Sequence, residues 1–238
     1  MNLSKKIRLS IIIPVYNEEK TILQIIDKVK KVNFPIENEI IIVDDGSKDL
    51  TREKLKKIKD VKIILHDRNQ GKGAAVKTGI KNSTGDYIII QDADLEYDPN
   101  QINDLLEPIL QEKAKVVYGT RLKRLPDFSN EERTLQFLIH YLGNRFLSLI
   151  TSMLYGQWIT DMETCYKLFP KDALDGVILN AKGFEFEPEI TARLLRKGFK
   201  IFEVSISTNP RGYDEGKKIN TVKDGIRAFI TLVKYRFV

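Results

Sequence analysis

Short apolar runs alternate with segments of helical periodicity along the first half of the chain. Four runs rich in β-branched residues are predicted strands, at positions 9–13, 39–43, 61–65 and 87–91. The segments between them repeat apolar residues every three or four positions and are predicted helices, at positions 18–32, 51–58 and 73–82. This alternation predicts a parallel, doubly wound sheet flanked by helices. Ligands bind at the carboxyl ends of the strands in such sheets, so the loops there hold the candidate site.

The second half of the chain is less regular and contains one long apolar helix. Other predicted elements are helices at 101–111 and 220–235, strands at 116–118, 166–169 and 200–206, and a mobile segment at 122–132. The long helix repeats apolar residues at helical spacing: Leu135, Leu138, Ile139, Leu142, Phe146, Leu149, Ile150 and Met153. Such a helix belongs either to the core or to a surface that meets another apolar phase. The core is the commoner place, but Arg133, His140 and Arg145 keep the membrane alternative open.

Composition and charge narrow the class of protein. The 238 residues, 42% hydrophobic and 30% charged, suffice for one large α/β domain or two small ones. The single cysteine, Cys165, excludes an internal disulfide and a cysteine-rich zinc site, and fits a reducing, cytoplasmic location. No apolar run reaches the roughly 20 residues that span a bilayer. The net charge of +6 suits an anionic partner: a membrane surface, a nucleic acid or a phosphorylated substrate.

Three carboxylates follow the fourth predicted strand: Asp92, Asp94 and Glu96. Clustering them at the end of a buried strand raises the free energy of their charged forms unless a counter-charge is present. A divalent cation is the simplest such partner, and oxygen-only ligands favour Mg2+ or Mn2+. These ions often complete their coordination shell with substrate phosphates. The sequence therefore predicts a metal-assisted site for a phosphate-bearing substrate.

The other three strand-end loops are also polar, but each is ambiguous when taken alone. The loop at 14–18 halts the first strand at a proline and starts a helix with a glutamate. The loop at 44–47 suits either a tight turn or hydrogen bonds to a ribose or base. The loop at 68–75 carries glycines that would let it approach a phosphate closely. Its spacing matches neither a P-loop nor a GxGxxG dinucleotide motif.

Taken together, the loops carry a series of motifs in a characteristic order. These are Pro14-Val15-Tyr16-Asn17-Glu18, Asp44-Asp45-Gly46-Ser47, Asn69-Gln70-Gly71-Lys72-Gly73-Ala74-Ala75, Asp92-Ala93-Asp94-Leu95-Glu96 and Gly119-Thr120-Arg121. In this order the chain resembles the family 2 glycosyltransferases over residues 9–236. It is most similar to their polyprenyl-phosphate branch, which includes the dolichol-phosphate mannose and glucose synthases.

The resemblance implies an α/β GT-A fold. In that fold a Rossmann-like, mostly parallel central sheet is flanked by helices, and the acceptor-side half carries an amphipathic helix. For this chain it implies one domain, with a nucleotide-sugar-binding half at residues 1–120 and an acceptor half with a closing loop at residues 121–238.

The resemblance also implies which residues bind the donor and the metal. Donor positions are matched by Pro14, Tyr16, Asn17, Glu18, Val43, Asp45, Lys72, Asp92, Ala93, Asp94, Arg121, Arg211 and Lys217. The last two belong to a loop at 209–218, rich in glycine and charge, that would close on the donor pyrophosphate. Asp94 and Glu96 match the positions that bind Mg2+ or Mn2+. Many relatives have glutamine where this chain has Glu96, and the added negative charge could alter the metal preference.

Acceptor and catalytic positions are implied in the same way. Arg121 and Arg133 match positions near the acceptor phosphate. The catalytic positions are matched by Asp92, Arg121, Asp161 and Glu163. Asp161 or Glu163 would orient the acceptor or act as a base, although both also suit a helix-to-strand junction with solvated acids.

The activity that the resemblance implies is an inverting, metal-dependent transfer of a hexose. The donor would be a nucleoside diphosphate sugar (NDP-sugar), GDP-mannose or UDP-glucose, and the acceptor a polyprenyl or dolichyl phosphate. Because such a phosphate is already mostly ionised at neutral pH, it needs no strong general base. A saccharide hydroxyl is the alternative acceptor and would need one, which would make Asp161 or Glu163 essential. A third hypothesis is a non-catalytic nucleotide-sugar-binding subunit, against which the intact Asp92, Asp94 and Arg121 argue.

The expected lipid acceptor lies in a membrane, whereas the sequence contains no apolar run that would span one. The segment at 133–154 and the net charge of +6 predict peripheral binding to anionic lipid at the cytoplasmic face. A separate membrane subunit is the other option. Trp158, close to this segment, is either an interfacial anchor or a packing residue. Nucleic acid is not an expected partner.

Overall fold

The computed structural model describes residues 7–121, 135–209 and 221–238. The strands in these ranges are β1 (Arg8–Val15), β2 (Glu37–Asp44), β3 (Lys62–Leu65), β4 (Tyr87–Ile90), β5 (Val116–Thr120), β6 (Lys167–Pro170) and β7 (Ile201–Ser205). The α-helices are α1 (Ile22–Lys31), α2 (Thr51–Leu55), α3 (Lys72–Lys81), α4 (Ile102–Leu110), α5 (Leu135–Tyr155), α6 (Phe186–Arg196) and α7 (Thr221–Phe237). Strands and helices alternate through the first half, as the sequence predicts.

The strands form one seven-stranded sheet in the order β3-β2-β1-β4-β6-β5-β7. The first four strands in this order run parallel, with Ile11 of β1 opposite Ile40 of β2 and Ile89 of β4. Strand β6 is antiparallel to both β4 and β5, and β7 is parallel to β5. The sheet is therefore mostly parallel, and the carboxyl ends of β1, β2 and β4 lie at the same end of it.

Strands β1 and β4 lie at the centre of the core because both of their faces are covered. Their fully buried side chains are Leu9, Ile11, Ile12, Ile13, Ile88, Ile89 and Ile90. Burial on two faces explains why these strands are continuous apolar runs instead of alternating patterns. Full burial of one such side chain stabilises the fold by about 1.5–3 kcal/mol. The central strands therefore hold the loops at their carboxyl ends on a rigid base.

Helix α1 begins at Ile22, later than the start at residue 18 that the sequence predicts. The backbone N–H of Glu18 donates instead to Thr51 Oγ1 at 2.9 Å. Asn17 has a left-handed backbone with φ 51°. The residues before α1 therefore form a turn that contacts the start of α2.

The apolar periodicity of the sequence does not reveal helix α6, because the buried face of this helix contains charged side chains. Glu187 and Glu189 are buried on it together with Phe186, Ile190 and Leu194. The two acids interrupt the apolar stripe, so the periodicity of the sequence does not indicate a helix here. Both glutamates instead have partners from other segments, which only the folded chain brings near.

Helix α5 turns its large apolar side chains outwards. Leu142 is 55% exposed, Phe146 54% and Met153 73%. Its inner side buries one leucine and several small or polar side chains: Asn144, Leu147, Ser148, Thr151 and Ser152. Several large apolar side chains of α5 are thus exposed, while Leu147 belongs to the core and Leu154 packs against it. Across the described ranges no helix is long and apolar enough to cross a membrane.

Glycines at the start of α3 allow close packing against the loop that precedes α6. A Cβ atom at Gly71, where φ is +100°, would lie 2.2 Å from the carbonyl oxygen of Lys182. A Cβ atom at Gly73 would lie 2.9 Å from the carbonyl oxygen of Gly183. The N–H of Ala74 donates to the Lys182 carbonyl at 3.1 Å. In this structure the glycines approach protein backbone closely, and this packing ties α3 to the loop before α6.

Replacing Gly71 by alanine is expected to destabilise the fold through both steric overlap and backbone strain. We expect Gly71→Ala to lower the free energy of unfolding by about 3 kcal/mol or more. The matched control is Gly198→Ala, where φ is +81° but nothing lies within 4 Å of the new Cβ. Backbone strain alone should reduce stability there by about 1 kcal/mol. Urea denaturation measures both, and equal losses would show that contact with Lys182 does not matter.

Candidate active site

The loops after β1 and β2 are joined by hydrogen bonds at the carboxyl end of the sheet. The backbone N–H of Asn17 donates to Ser47 Oγ at 2.9 Å, and the N–H of Lys48 donates to Asn17 Oδ1 at 2.8 Å. Asn17, a predicted donor residue, therefore uses its backbone and its amide oxygen to join the two loops. Parallel pairing of β1 with β2 brings these loops together.

Four more predicted donor residues line the same two strand ends. Pro14 is opposite Val43 in the β1–β2 pairing, and the side chain of Val43 is fully buried. A contact between Val43 and a ligand would therefore involve its backbone. Glu18 is buried and its carboxylate accepts a hydrogen bond from Thr21 Oγ1 at 2.7 Å. Tyr16 is half-buried at the mouth of this region.

Asp45 holds the glycine loop against the end of β2. Its carboxylate accepts hydrogen bonds from the backbone N–H of Gln70 at 3.0 Å and of Gly71 at 2.7 Å. It also pairs with His66 Nδ1 at 2.7 Å, and His66 Nε2 lies 2.9 Å from Thr78 Oγ1. These hydrogen bonds connect Asp45, a predicted donor residue, to the segment that leads into α3 and hold that segment in place. His66 is buried and has a structural role, because it joins Asp45 to Thr78.

Lys72, in the first turn of α3, reaches the carboxylate at the end of β4. Its Nζ lies 2.8 Å from Asp92 Oδ1 and 3.5 Å from Glu187 Oε1. Burial alone would raise the pKa of Asp92, but the Lys72 ammonium holds that pKa below its ordinary value. The neighbouring Ala93 is buried. Asp92 and Lys72, which are distant in sequence, therefore form one charged pair at the site.

Asp94 has the properties expected of a residue that binds a cation. Burial and the negative charges of Asp92 and Glu96 raise the pKa of Asp94 to about 7. The intervening Leu95 has φ 65°, and the N–H of Glu96 donates to Asp94 Oδ1 at 3.1 Å. A hard divalent cation would relieve this repulsion, and carboxylate oxygens are ligands that it accepts. The residues present therefore fit Mg2+ or Mn2+.

Within the described ranges, no group of three or more Asp, Glu, His or Cys side chains is arranged to hold a metal ion. The carboxylates of Asp94 and Glu96 would therefore form only part of a coordination shell. Sites of this kind leave the other positions to water and substrate phosphates.

Arg121, which directly follows β5, forms a bidentate ion pair with Asp161. Arg121 Nε lies 2.7 Å and Nη2 2.8 Å from the two oxygens of Asp161, and the Arg121 backbone N–H also donates to it at 3.0 Å. Burial would raise the pKa of Asp161, but Arg121 lowers it below its ordinary value. A general base needs an available oxygen and a pKa near the working pH. Asp161 is therefore better suited to orienting Arg121 than to accepting a proton.

Glu163 lies two residues after Asp161, and its pKa is shifted in the opposite direction. Burial, opposed by Lys167 and reinforced by Glu187, raises its pKa to about 7. Its Oε1 atom is buried and makes no hydrogen bond with any part of the chain that the structure describes. Of the two predicted acids in this segment, Glu163 is the one whose ionisation falls near neutral pH.

Two functional candidates were not predictable from motifs: Lys167 and Glu187. Lys167 is fully buried in β6, and its Nζ lies 2.7 Å from Glu187 Oε2. Lys167 stands in an apolar strand without any motif, and Glu187 comes from helix α6. The one available signal in the sequence was a lysine within an apolar strand, because lysines are almost never fully buried unless they are paired.

Three predicted site residues lie outside the described residues: Arg133, Arg211 and Lys217. The sequence-predicted mobile segment at 122–132 and most of the predicted closing loop at 209–218 lie there as well. The described part of the site thus comprises the carboxylates, Lys72 and the Arg121–Asp161 pair.

The sequence of this chain is similar to those of known glycosyltransferases. Residues 10–178 match the family model described as Glycosyl transferase family 2. A UDP-N-acetylglucosamine–dolichyl-phosphate N-acetylglucosaminyltransferase of Methanococcus voltae is 32% identical over 244 residues, covering 94% of each chain. An uncharacterized protein of Methanocaldococcus jannaschii is 29% identical over 227 residues, covering 93% of this chain and 90% of the relative.

The fold is similar to solved structures as well. Glucosyl-3-phosphoglycerate synthase from Mycobacterium tuberculosis, in complex with Mn2+, UDP and phosphoglyceric acid, superposes with a TM-score of 0.72 at 18% identity over 98% of this chain and 79% of that one. Its complex with Mg2+ and UDP gives a TM-score of 0.71 at 19% identity, over 98% and 80%. The α/β GT-A fold predicted from the sequence is thereby confirmed. The chain belongs to glycosyl transferase family 2 and is a glycosyltransferase.

Proposed function

We propose that this enzyme transfers a sugar from an NDP-sugar to a polyprenyl phosphate, such as dolichyl phosphate, at a membrane surface. The observation that carries the proposal is the exposed apolar surface of the acceptor half, formed by α5 and α7. A lipid acceptor is presented at the boundary of an apolar phase, and this surface suits that boundary. The name of the Methanococcus voltae relative, which specifies dolichyl phosphate as acceptor, supports the same acceptor class.

The exposed apolar side chains follow one face of each helix. We define the apolar face as Ile139, Leu142, Phe146, Leu149 and Met153 of α5 with Val222, Ile226, Phe229 and Ile230 of α7, all exposed. The two helices pack together, with Tyr155 Oη donating to the Leu232 carbonyl at 2.8 Å. Trp158, 70% exposed, follows α5. Exposed apolar side chains grouped on two helices that pack together suit an interaction site.

Charge on the same helices favours anionic lipid as the partner. The exposed basic residues of α7 are Lys223, Arg227, Lys234 and Arg236, and they alternate with its apolar residues. A helix with apolar and basic residues of this kind lies in a membrane interface, where each basic residue near anionic lipid contributes about 1 kcal/mol. We place this surface on the cytoplasmic face of a membrane. A separate membrane subunit that covers the apolar face is the alternative.

The described residues of the site support transfer to an ionised phosphate. In that reaction an acceptor phosphate oxygen bonds to the anomeric carbon of the donor sugar as the bond from that carbon to the pyrophosphate breaks. The nucleoside diphosphate leaves with the bonding electrons, so negative charge develops on it. Asp94 and Glu96 would hold Mg2+ or Mn2+, which when bound supplies positive charge against that leaving group. Lys72, in the same part of the site, would contribute a further positive charge.

The acceptor side fits an anion that needs no deprotonation. Asp161 uses both oxygens on Arg121, so it holds the guanidinium in one orientation. Arg121 retains further N–H groups for a phosphate oxygen. If the acceptor were instead a saccharide hydroxyl, a base would be required, and Glu163 would be the better placed of the two acids. The expected hexose donors were GDP-mannose and UDP-glucose, whereas the relative's name specifies UDP-N-acetylglucosamine.

The proposed reaction predicts metal-dependent transfer to lipid that requires Asp94. Wild-type enzyme would be incubated with UDP-N-acetylglucosamine, UDP-glucose or GDP-mannose, with dolichyl phosphate or a soluble saccharide, and lipid-extractable label would be counted. We expect transfer to dolichyl phosphate from one of these donors, its loss in EDTA, and a decrease of about 10²–10³-fold in Asp94→Asn. Asp104→Asn, at an exposed carboxylate of α4, is the matched control. Transfer to the saccharide alone would establish the alternative acceptor and contradict our proposal.

The raised pKa of Glu163 predicts a pH-dependent effect of its removal on stability. The folded-state pKa of about 7 lies above the ordinary value of 4.5, so the folded state binds an extra proton between these values. Wild-type protein therefore loses stability from this group as the pH rises through that window. Glu163→Gln cannot ionise, so its stability relative to wild type should increase from pH 4.5 to pH 7 and then level off. Glu53→Gln, at an exposed carboxylate of α2, is the control; parallel urea-denaturation profiles for wild type and Glu163→Gln would contradict the assignment.

Membrane binding through the apolar face predicts association with anionic liposomes. We expect wild-type protein to float with phosphatidylglycerol-containing liposomes at low salt and less at high salt. Leu142→Ser/Phe146→Ser should reduce the partition coefficient at least about tenfold, because two large side chains no longer enter the interface. The control is Leu50→Ser, at a leucine 52% exposed on the opposite half, compared with 55% for Leu142. No association of the wild type at low salt would favour the membrane-subunit alternative.

A further inference from the structure

Four charged side chains of alternating sign run from the core to the surface of the site. Lys167 Nζ lies 2.7 Å from Glu187, Glu187 lies 3.5 Å from Lys72 Nζ, and Lys72 lies 2.8 Å from Asp92. Their side chains are 0%, 5%, 16% and 20% exposed, in that order. We call this series the charge ladder. Its outer two members belong to the proposed donor site, and its inner two have no role in the function described above.

The inner pair is hard to explain as a device for stability. Lys167 is fully buried in β6, where its Nζ donates to the Thr164 carbonyl and lies 5.0 Å from the centre of the Tyr118 ring. Removing two charges from water is unfavourable, and apolar residues of similar volume often stabilise a protein as well or better. Stability alone therefore does not explain why this pair is buried.

Glu187 faces both lysines, with one oxygen towards each. Its Oε2 atom pairs with Lys167, while Oε1 makes no hydrogen bond within the described part of the chain and is directed to Lys72. Lys72 therefore has two anionic neighbours, Asp92 at the site surface and Glu187 beneath it. If Asp92 turns to a bound ligand, Glu187 still holds the Lys72 ammonium in place.

Backbone packing supports this arrangement independently of the charges. The loop before α6 contacts Gly71 and Gly73, on either side of Lys72, too closely for any side chain. Glu189 of α6 accepts hydrogen bonds from the N–H groups of Asn180 and Ala181 in that loop at 2.9 Å and 2.6 Å. These contacts join helix α6, through the loop before it, to the start of α3 on either side of Lys72.

We propose that Glu187, oriented by Lys167, is a positioning residue that holds Lys72 in place for the donor pyrophosphate. This role rests on the proposed function, because it assumes that an NDP-sugar binds beside Lys72 and Asp92. Glu187 acts through Lys72 and need not touch the donor itself. Its removal should therefore weaken donor binding only as long as Lys72 is present.

The experiment must separate this role from the folding role of a buried ion pair. Glu187→Gln leaves the buried Lys167 without its partner and is expected to unfold at lower temperature. The double variant Lys167→Met/Glu187→Gln removes both charges with little change in volume, so its melting temperature should return close to that of wild type. Binding of the NDP-sugar used by the wild-type enzyme is then measured by calorimetry, together with the melting temperature.

The expected result is a stable double variant whose dissociation constant for the NDP-sugar is about tenfold higher than that of wild type. In a Lys72→Met background the same double substitution should cause no further change, because the residue through which Glu187 acts is gone. Should the double variant not fold, Glu187→Asp keeps the charge but shortens the reach to Lys72, and it should weaken donor binding to a similar extent.

Three outcomes would contradict the role of Glu187. Wild-type affinity in the stable double variant would show that Glu187 serves only as the partner of Lys167. Equal losses in the wild-type and Lys72→Met backgrounds would show that it does not act through Lys72. Wild-type affinity in Glu187→Asp would likewise show that Glu187 serves only as the partner of Lys167. A wild-type enzyme that binds no NDP-sugar would instead contradict the proposed function itself, and with it this role.

Discussion

Mutual repulsion among buried carboxylates is the constraint on which the rest of this structure depends. Strand β4 delivers Asp92 and Asp94 to the carboxyl end of the parallel strands, and the second half of the chain adds Asp161, Glu163 and Glu187. Carboxylates this close, shielded from water, cannot all be ionised unless cations are held among them. The fold provides these cations from separate parts of the chain: Lys72 from α3, Arg121 directly after β5, and Lys167 from β6.

The acids form two groups according to the direction in which their pKa values are shifted, and this direction indicates what each acid can do. Asp92 and Asp161 have cationic partners within 3 Å, and their pKa values are lowered. Asp94 and Glu163 have pKa values raised to about 7 because burial and neighbouring acids outweigh nearby cations. The first two are therefore fixed anions that orient Lys72 and Arg121. The other two are the ones available to a metal ion or a proton.

The packing of helices connects the exposed apolar face to these charged side chains. Helix α7 contacts α5 on one side and α6 on the other, where Arg193 lies 4.1 Å from the centre of the Tyr235 ring. Helix α6 in turn carries Glu187 beneath Lys72. The surface proposed to meet lipid thus lies on α5 and α7, and the packing of α7 against α6 connects it to Glu187 beside Lys72.

The sequence by itself determined the alternation of strands and helices in the first half of the chain, the parallel pairing of its strands and the carboxylates that follow β4. It did so because burial on two faces produces continuous apolar strands such as β1 and β4, and because Asp92, Asp94 and Glu96 follow directly in the chain. Local patterns of this kind need no knowledge of distant neighbours. The start of α1 was predicted too early, because residues 18–21 follow the left-handed Asn17 and form a turn in which the Glu18 carbonyl accepts hydrogen bonds from the N–H groups of Thr21 and Ile22.

Only the tertiary structure decided which charges pair and which apolar surfaces are exposed. Lys167 and Glu187 are 20 residues apart, and Arg121 and Asp161 are 40 apart, so no spacing rule links them. Helix α6 was hidden because its buried acids are acceptable only beside partners from elsewhere in the chain. The periodicity of α5 located an apolar stripe but not the side it faces, since burial depends on what packs against a helix and not on the helix itself.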